Sequence, residues 1–159
     1  MRHHDVSTDL LKGALSGAIA TVPMTVAMVA MHRALPPSEK YPLPPSLITE
    51  NLEQKAGVVD QVDRKEHRAL TMVSHFGYGA LCGGLFALAL HTRAPRTSTS
   101  VGAGVLFGLG VWGTSYLGLL PALRLLGSAK NIPPRRNALM IAAHVVWGAA
   151  LGLALKALR

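Results

Sequence analysis

The sequence predicts an all-α integral membrane protein, a four-helix bundle of two tandem two-helix hairpins, in one domain over residues 1–159. Three observations predict it. Stretches 13–31, 69–90, 97–123 and 138–155 hold no Lys, Arg, Asp or Glu and are 18 to 27 residues long. A helix needs about 20 mostly apolar residues to cross a bilayer. Only 15% of residues are charged and half are hydrophobic, where a globular domain carries about 25% charge. Finally, one histidine–glycine pattern occurs twice. Together these exclude a soluble enzyme, a secreted disulfide scaffold and a disordered tail.

Helix one is expected over residues 10–34, with Pro23 in mid-span. A proline there removes a backbone donor, so a kink and a candidate broken helix are expected. The span is too long for a signal-peptide core and no small-x-small site precedes Arg33, so it reads as a retained helix. A link over residues 35–63 follows, with Leu35-Pro36-Pro37 and Leu43-Pro44-Pro45 as stiff, extended pieces. Within it Ser46 can cap a short interfacial helix from Leu47 to Ala56, stopped by Gly57. That helix is expected to lie on the membrane rim, the alternative being a docking site for a partner.

Helices two, three and four are expected over residues 64–91, 100–123 and 136–158. Short links join two to three and three to four, so these neighbours are expected to pack antiparallel. Cys82 is the only cysteine; it reads as a small buried hydrophobe.

The net charge of +8 raises nucleic acid as a partner, but no basic stripe or reading module is present. Lys12, Arg33, Arg68, Arg93, Arg124, Arg135, Arg136 and Lys156 bracket the apolar stretches, as basic residues do at lipid headgroups. The expected partners are therefore the lipid bilayer and a second copy or a larger membrane complex, with no nucleic acid. The face with the one–two and three–four links carries ten Lys and Arg, the other face six. Four spans put both termini on one side, and that difference leans them to the outside.

Helix two reads His75-Phe76-Gly77-Tyr78-Gly79-Ala80-Leu81-Cys82-Gly83, and helix four reads His144-Val145-Val146-Trp147-Gly148-Ala149-Ala150-Leu151-Gly152. In each, His is followed at three by an aromatic, at four by Gly and at eight by Gly. The match suggests a parallel internal repeat of one hairpin. Each long helix also holds a Gly-x-x-x-Gly: Gly13/Gly17, Gly79/Gly83, Gly104/Gly108 and Gly148/Gly152. Such spacing lets helix backbones approach closely in lipid. The i, i+4, i+8 register puts each histidine on its glycine stripe, facing other helices.

Ionisable groups within a span are functional candidates. One reading pairs His75 and His144 with Thr25 and Ser115 in interhelical hydrogen bonds that fix the packing, with no cofactor. An alternative makes the imidazoles axial ligands of haem b in an electron-transfer subunit. A further alternative is a proton or small-solute permeation path, although no carboxylate lies in any span. Ser115 with His144 is also the residue pair of rhomboid-type intramembrane proteases. The mid-span serine and the glycine spacing depart from that family, and no enzymatic activity is read here. Met1-Arg2-His3 could bind Cu(II) or Ni(II) through the free amine and His3, though a frayed tail is the plainer reading.

Gly17-Ala18-Ile19-Ala20, Leu43-Pro44-Pro45 and His144-Val145-Val146-Trp147 resemble the YagU-like group of small bacterial inner-membrane proteins of unassigned role. The resemblance implies an inner-membrane location and brings no catalytic residue with it. On this reading the protein has a structural or accessory role.

Overall fold

The computed structural model describes residues 6–90 and 97–159. The Met1-Arg2-His3 copper reading, and the anchors Arg93 and Arg96, lie outside those residues. Regular structure among the described residues is all helical: α1 (Val6–Arg33), α2 (Pro44–Ala56), α3 (Arg64–Ala89), α4 (Thr97–Thr114), the short α5 (Leu120–Ala122) and α6 (Pro134–Leu158). A π-helical turn, Ser115–Leu119, joins α4 to α5 into one rod. Four helices, Val6–Arg33, Arg64–Ala89, Ser100–Ala122 and Pro134–Leu158, are long and apolar enough to cross a membrane.

The local sequence explains most boundaries. Asp63 caps α3, accepting from the Lys65 and Glu66 amides at 2.6 and 2.9 Å, while Glu66 accepts from the Asp63 amide at 2.8 Å. This reciprocal box satisfies donors that a helix start leaves open. α2 begins earlier than expected, at Pro44, with Leu43 at the cap position. Prolines suit a first helical turn because the missing amide hydrogen has no helical partner there. Ser46 is therefore inside the helix and bonds to His67 across to α3, at 2.9 Å, with no capping role.

α1 runs as one helix through Pro23, which corrects the broken-helix expectation. Ala20, Thr21 and Met24 are buried on either side of the proline, where packing against neighbouring helices supports a turn that has lost a hydrogen bond. The π turn has its own proline cause. Pro121 has no amide hydrogen for the Leu117 carbonyl, and the chain has already moved to five-residue hydrogen bonds, Leu120 donating to the Ser115 carbonyl. The rod ends at Arg124, whose φ of 52° is in the left-handed region usually held by glycine.

Helix pairing follows backbone contact between glycines. A Cβ built at Gly17 would collide with the Gly79 carbonyl oxygen and lie 2.9 Å from the Gly83 Cα. One at Gly148 would collide with the Gly104 carbonyl oxygen and lie 2.9 Å from the Val105 Cα. Gly13 faces Gly83 and Gly84, Gly108 faces the His144 carbonyl, and Gly152 faces Ser100. All eight spaced glycines thus lie in two seams, α1 on α3 and α4 on α6.

The two pairs join through α1 and α6, where Trp147 Nε1 donates to the Gly17 carbonyl at 3.3 Å. α3 and α4 touch only sparsely, with Phe86 and Phe107 ring centroids 5.1 Å apart. The expectation that helices two and three pack on each other because a short link joins them is corrected. Their glycine faces are already occupied by α1 and α6, so loop length does not decide the partner.

Hydrogen bonds secure the ends. Arg136 is not a headgroup anchor, as its position beside an apolar stretch suggested. Its guanidinium donates to the carbonyls of Glu39, Tyr41 and Pro42 at 2.7, 2.9 and 2.8 Å and lies 3.6 Å over the Tyr41 ring. The planar fork satisfies several carbonyls that the proline-rich link leaves without helical partners. Asp9 near the start of α1 is 1% exposed and meets Arg159 at 3.5 Å.

Candidate functional site

A chamber of about 270 Å³ lies inside the bundle, walled by α1, α3, the α4–α5 rod and α6 and roofed by Pro45, Ile48 and Leu52 of α2. Ile48 and Leu52 thus turn toward their own bundle. α2 is held there by His67 of α3, whose Nδ1 meets the Glu53 carboxylate and Nε2 meets Ser46 Oγ, each at 2.9 Å. Asn51 adds a bond to the Leu125 carbonyl at 3.2 Å.

The chamber gathers several polar side chains of the long helices. His75 and His144 both line it, from α3 and α6, together with Ser115 from the π turn. The repeated pattern explains the two imidazoles, since each lies one turn before a seam glycine and so borders the seam. Ser115 Oγ bonds to the Tyr78 hydroxyl at 2.9 Å. An interhelical hydrogen bond of the expected kind therefore exists, but between Ser115 and Tyr78, not with a histidine. Thr25 does not join the site; its hydroxyl donates to the Thr21 carbonyl of its own helix at 2.7 Å, the usual outlet for a mid-helix threonine.

His144 is 6% exposed. Its Nδ1 is 2.7 Å from the Met140 carbonyl oxygen. A carbonyl only accepts, so Nδ1 carries the proton and a neutral ring presents Nε2 as a lone pair. The Tyr116 ring packs edge-on against this imidazole, centroids 6.0 Å apart. His75 Nε2 is buried with no hydrogen-bond partner among the described residues. A buried unpaired nitrogen costs about 1–3 kcal/mol, which makes it a position ready for a ligand atom.

Thr21 and Ser74 also line it, their hydroxyls donating to the Gly17 and Thr71 carbonyls of their own helices. Most of the remaining wall is apolar, including Met24, Val111, Leu120, Met140 and Trp147, with Cys82 beside the polar cluster. No Asp, Glu, Lys or Arg lines it among the described residues. Tyr78, Leu119 and Leu52 are 42, 47 and 44% exposed while also lining the chamber. They mark a mouth between α3 and the α4–α5 rod, the two elements that barely touch. The sequence signalled His75, His144 and Ser115. Tyr78, Tyr116 and Trp147 were missed as site residues because aromatics in an apolar helix resemble ordinary packing. The one signal, for Tyr78 and Trp147 only, was the repeated aromatic three residues after each histidine.

Among the described residues, no group of three or more His, Cys, Asp or Glu is placed to hold a metal ion. A family model described as a protein of unknown function, DUF1440, matches residues 22–153. The chain belongs to this family. DUF1440 membership is consistent with the YagU-like resemblance, and the matched region contains His75, Tyr78, Ser115 and His144 but not Gly13, Gly17 or Thr21. No curated protein and no solved structure matches the chain. DUF1440 carries no assigned activity, so the reading of the chamber rests on its own geometry.

Proposed function

We propose that this is a multi-pass integral membrane protein, of the bacterial inner membrane, whose two glycine-locked hairpins form an internal repeat around a chamber for a small apolar molecule. The role is accessory: the bundle holds the molecule, and no reaction on it is proposed. The outward surface supports lipid as solvent, since Leu11, Val26, Val73 and Leu106 are all at least 63% exposed and water would not favour such a surface. The observation that carries the reading is the chamber itself. Polar groups from α3, the π turn and α6 converge on one apolar space that opens sideways, where a bilayer would supply lipid-soluble molecules.

Tight helix pairing leaves the outer face of the α4–α5 rod open, with nothing within 4 Å of a Cβ built at Gly102, Gly110, Gly113 or Gly118. That supports a homo-oligomer or a larger membrane complex through this face. The excess of Lys and Arg on the face of the one–two link supports termini outside.

The test is to extract the protein from membranes in mild detergent and identify the small molecules that stay with it. Val111→Trp fills the chamber. The wild type is expected to retain an apolar molecule in near-equimolar amount, and Val111→Trp to lose it while staying folded. Equal small-molecule content in both proteins would contradict the proposal. The absorption spectrum of the same preparation addresses haem b, which two imidazoles on one chamber favour. A chamber of about 270 Å³ is just below the usual range of ligand sites, about 300–1,000 Å³, and no Lys or Arg lines it among the described residues to meet the propionates. A Soret band lost in His75→Ala and His144→Ala would establish haem; a colourless folded protein would remove it.

A further inference from the structure

We infer that the chamber selects a neutral, lipid-soluble molecule bearing a hydroxyl group, an isoprenoid or aryl alcohol, and holds that hydroxyl between His144 Nε2 and the Tyr78–Ser115 pair. The inference rests on the chamber reading above and specifies its ligand.

The lining sets the ligand's charge. No ionic side chain lines the chamber among the described residues, and burying a charged ligand there without a partner is strongly unfavourable. The ligand is therefore neutral. The direction of the free hydrogen bonds then sets its polar group. The Met140 carbonyl fixes the proton of His144 on Nδ1, so in the neutral ring Nε2 is the nitrogen that keeps a lone pair, on a side chain that lines the chamber. A ketone, ether or ester has no hydrogen to give it. A hydroxyl has. Tyr78 and Ser115 carry two hydroxyl protons and use one between their oxygens. The second is left for the ligand oxygen or for the neighbouring Cys82 thiol, a weak acceptor. One hydroxyl group can thus donate to His144 and accept from the pair.

Volume sets the ligand's size. An engineered apolar cavity of about 150 Å³ holds benzene, and this chamber, at about 270 Å³, has room for roughly twice that. A ten-carbon alcohol fits within it, and a longer one would leave its tail in the mouth between α3 and the α4–α5 rod. Leu119 and Leu123 line that mouth and are half exposed, so a tail there would lie on apolar side chains.

The experiment uses the full chain in lipid nanodiscs, with empty nanodiscs subtracted. The probes are radiolabelled geraniol and geranyl methyl ether, which share a carbon skeleton but differ in the hydroxyl hydrogen. Geraniol is expected to bind saturably at one per chain, about tenfold tighter than the ether, as suits one or two buried hydrogen bonds. His144→Phe is expected to bring the two probes within about twofold of each other. Should that variant not fold, wild-type protein with ¹⁵N-labelled histidine gives the same answer. Its unprotonated His144 Nε2 resonance is expected to move with geraniol and not with the ether. Equal saturable binding of both probes overturns the hydroxyl inference and leaves the chamber reading standing. No saturable binding of either, or an Nε2 signal unmoved by bound geraniol, overturns the inference, and the first of these overturns the chamber reading as well.

Discussion

Gly17→Ala is expected to cost far more than its single methyl group suggests. The built Cβ collides with the Gly79 carbonyl oxygen and stands 2.9 Å from both the Gly79 carbonyl carbon and the Gly83 Cα. Carbon atoms in contact sit about 3.5–4.0 Å apart, so these contacts alone require α1 and α3 to separate by roughly 0.6–1 Å, and the nearer carbonyl oxygen requires more. Every opposing atom is backbone, and no side chain can rotate away. Overpacking costs about 1–3 kcal/mol, and this site belongs at the upper end. Alanine returns at most about 1 kcal/mol in helix propensity. The net loss is about 2 kcal/mol. Gly77→Ala, two residues from the seam with nothing within 4 Å of its Cβ, keeps only the propensity gain. The two variants should therefore differ by about 3 kcal/mol, more than a hundredfold in the folding equilibrium. Reversible unfolding in bicelles, by steric trapping or detergent titration, measures this. If Gly17→Ala and Gly77→Ala proved equally stable, the backbone seam would not be what joins α1 to α3.

Three further outcomes follow from named contacts. Arg136→Lys keeps the charge but cannot present a planar fork to three carbonyls or lie flat over Tyr41. It is expected to lose about 2 kcal/mol and to speed proteolysis within residues 35–43; an unchanged cleavage rate would argue against the clamp. Arg124→Gly relieves a left-handed φ of 52° and should raise stability by up to about 1 kcal/mol, read as a higher melting temperature. A double-mutant cycle of Tyr78→Phe and Ser115→Ala should give a coupling of about 1 kcal/mol, whereas additivity would mean that the hydroxyl pair does not form.

The four long helices were legible because a charge-free apolar stretch of about 20 residues matches the thickness of a bilayer and little else in a chain this short. Which helices pair was not legible from loop length. The glycine spacing marks α3 as having one seam face, but nothing local says whether α1 or α4 fills it. The Arg136 clamp was hidden for a similar reason. An arginine beside an apolar stretch reads as a headgroup anchor, and only the fold brings residues 39–42 over it. The two histidines stood out because ionisable groups are rare in such helices. Their partners did not, because Tyr78 and Ser115 lie on helices that no local signal pairs, and only the fold brings the two hydroxyls together.

Cys82 provides the most direct test, since this lone cysteine lies on the chamber wall and is 5% exposed. In intact membranes a small neutral thiol reagent such as methyl methanethiosulfonate is expected to modify it by way of the lipid phase. A permanently charged reagent of similar size should not, and Val111→Trp should slow the neutral one at least tenfold. Modification of wild type and Val111→Trp at the same rate would contradict a chamber open to lipid between α3 and the α4–α5 rod.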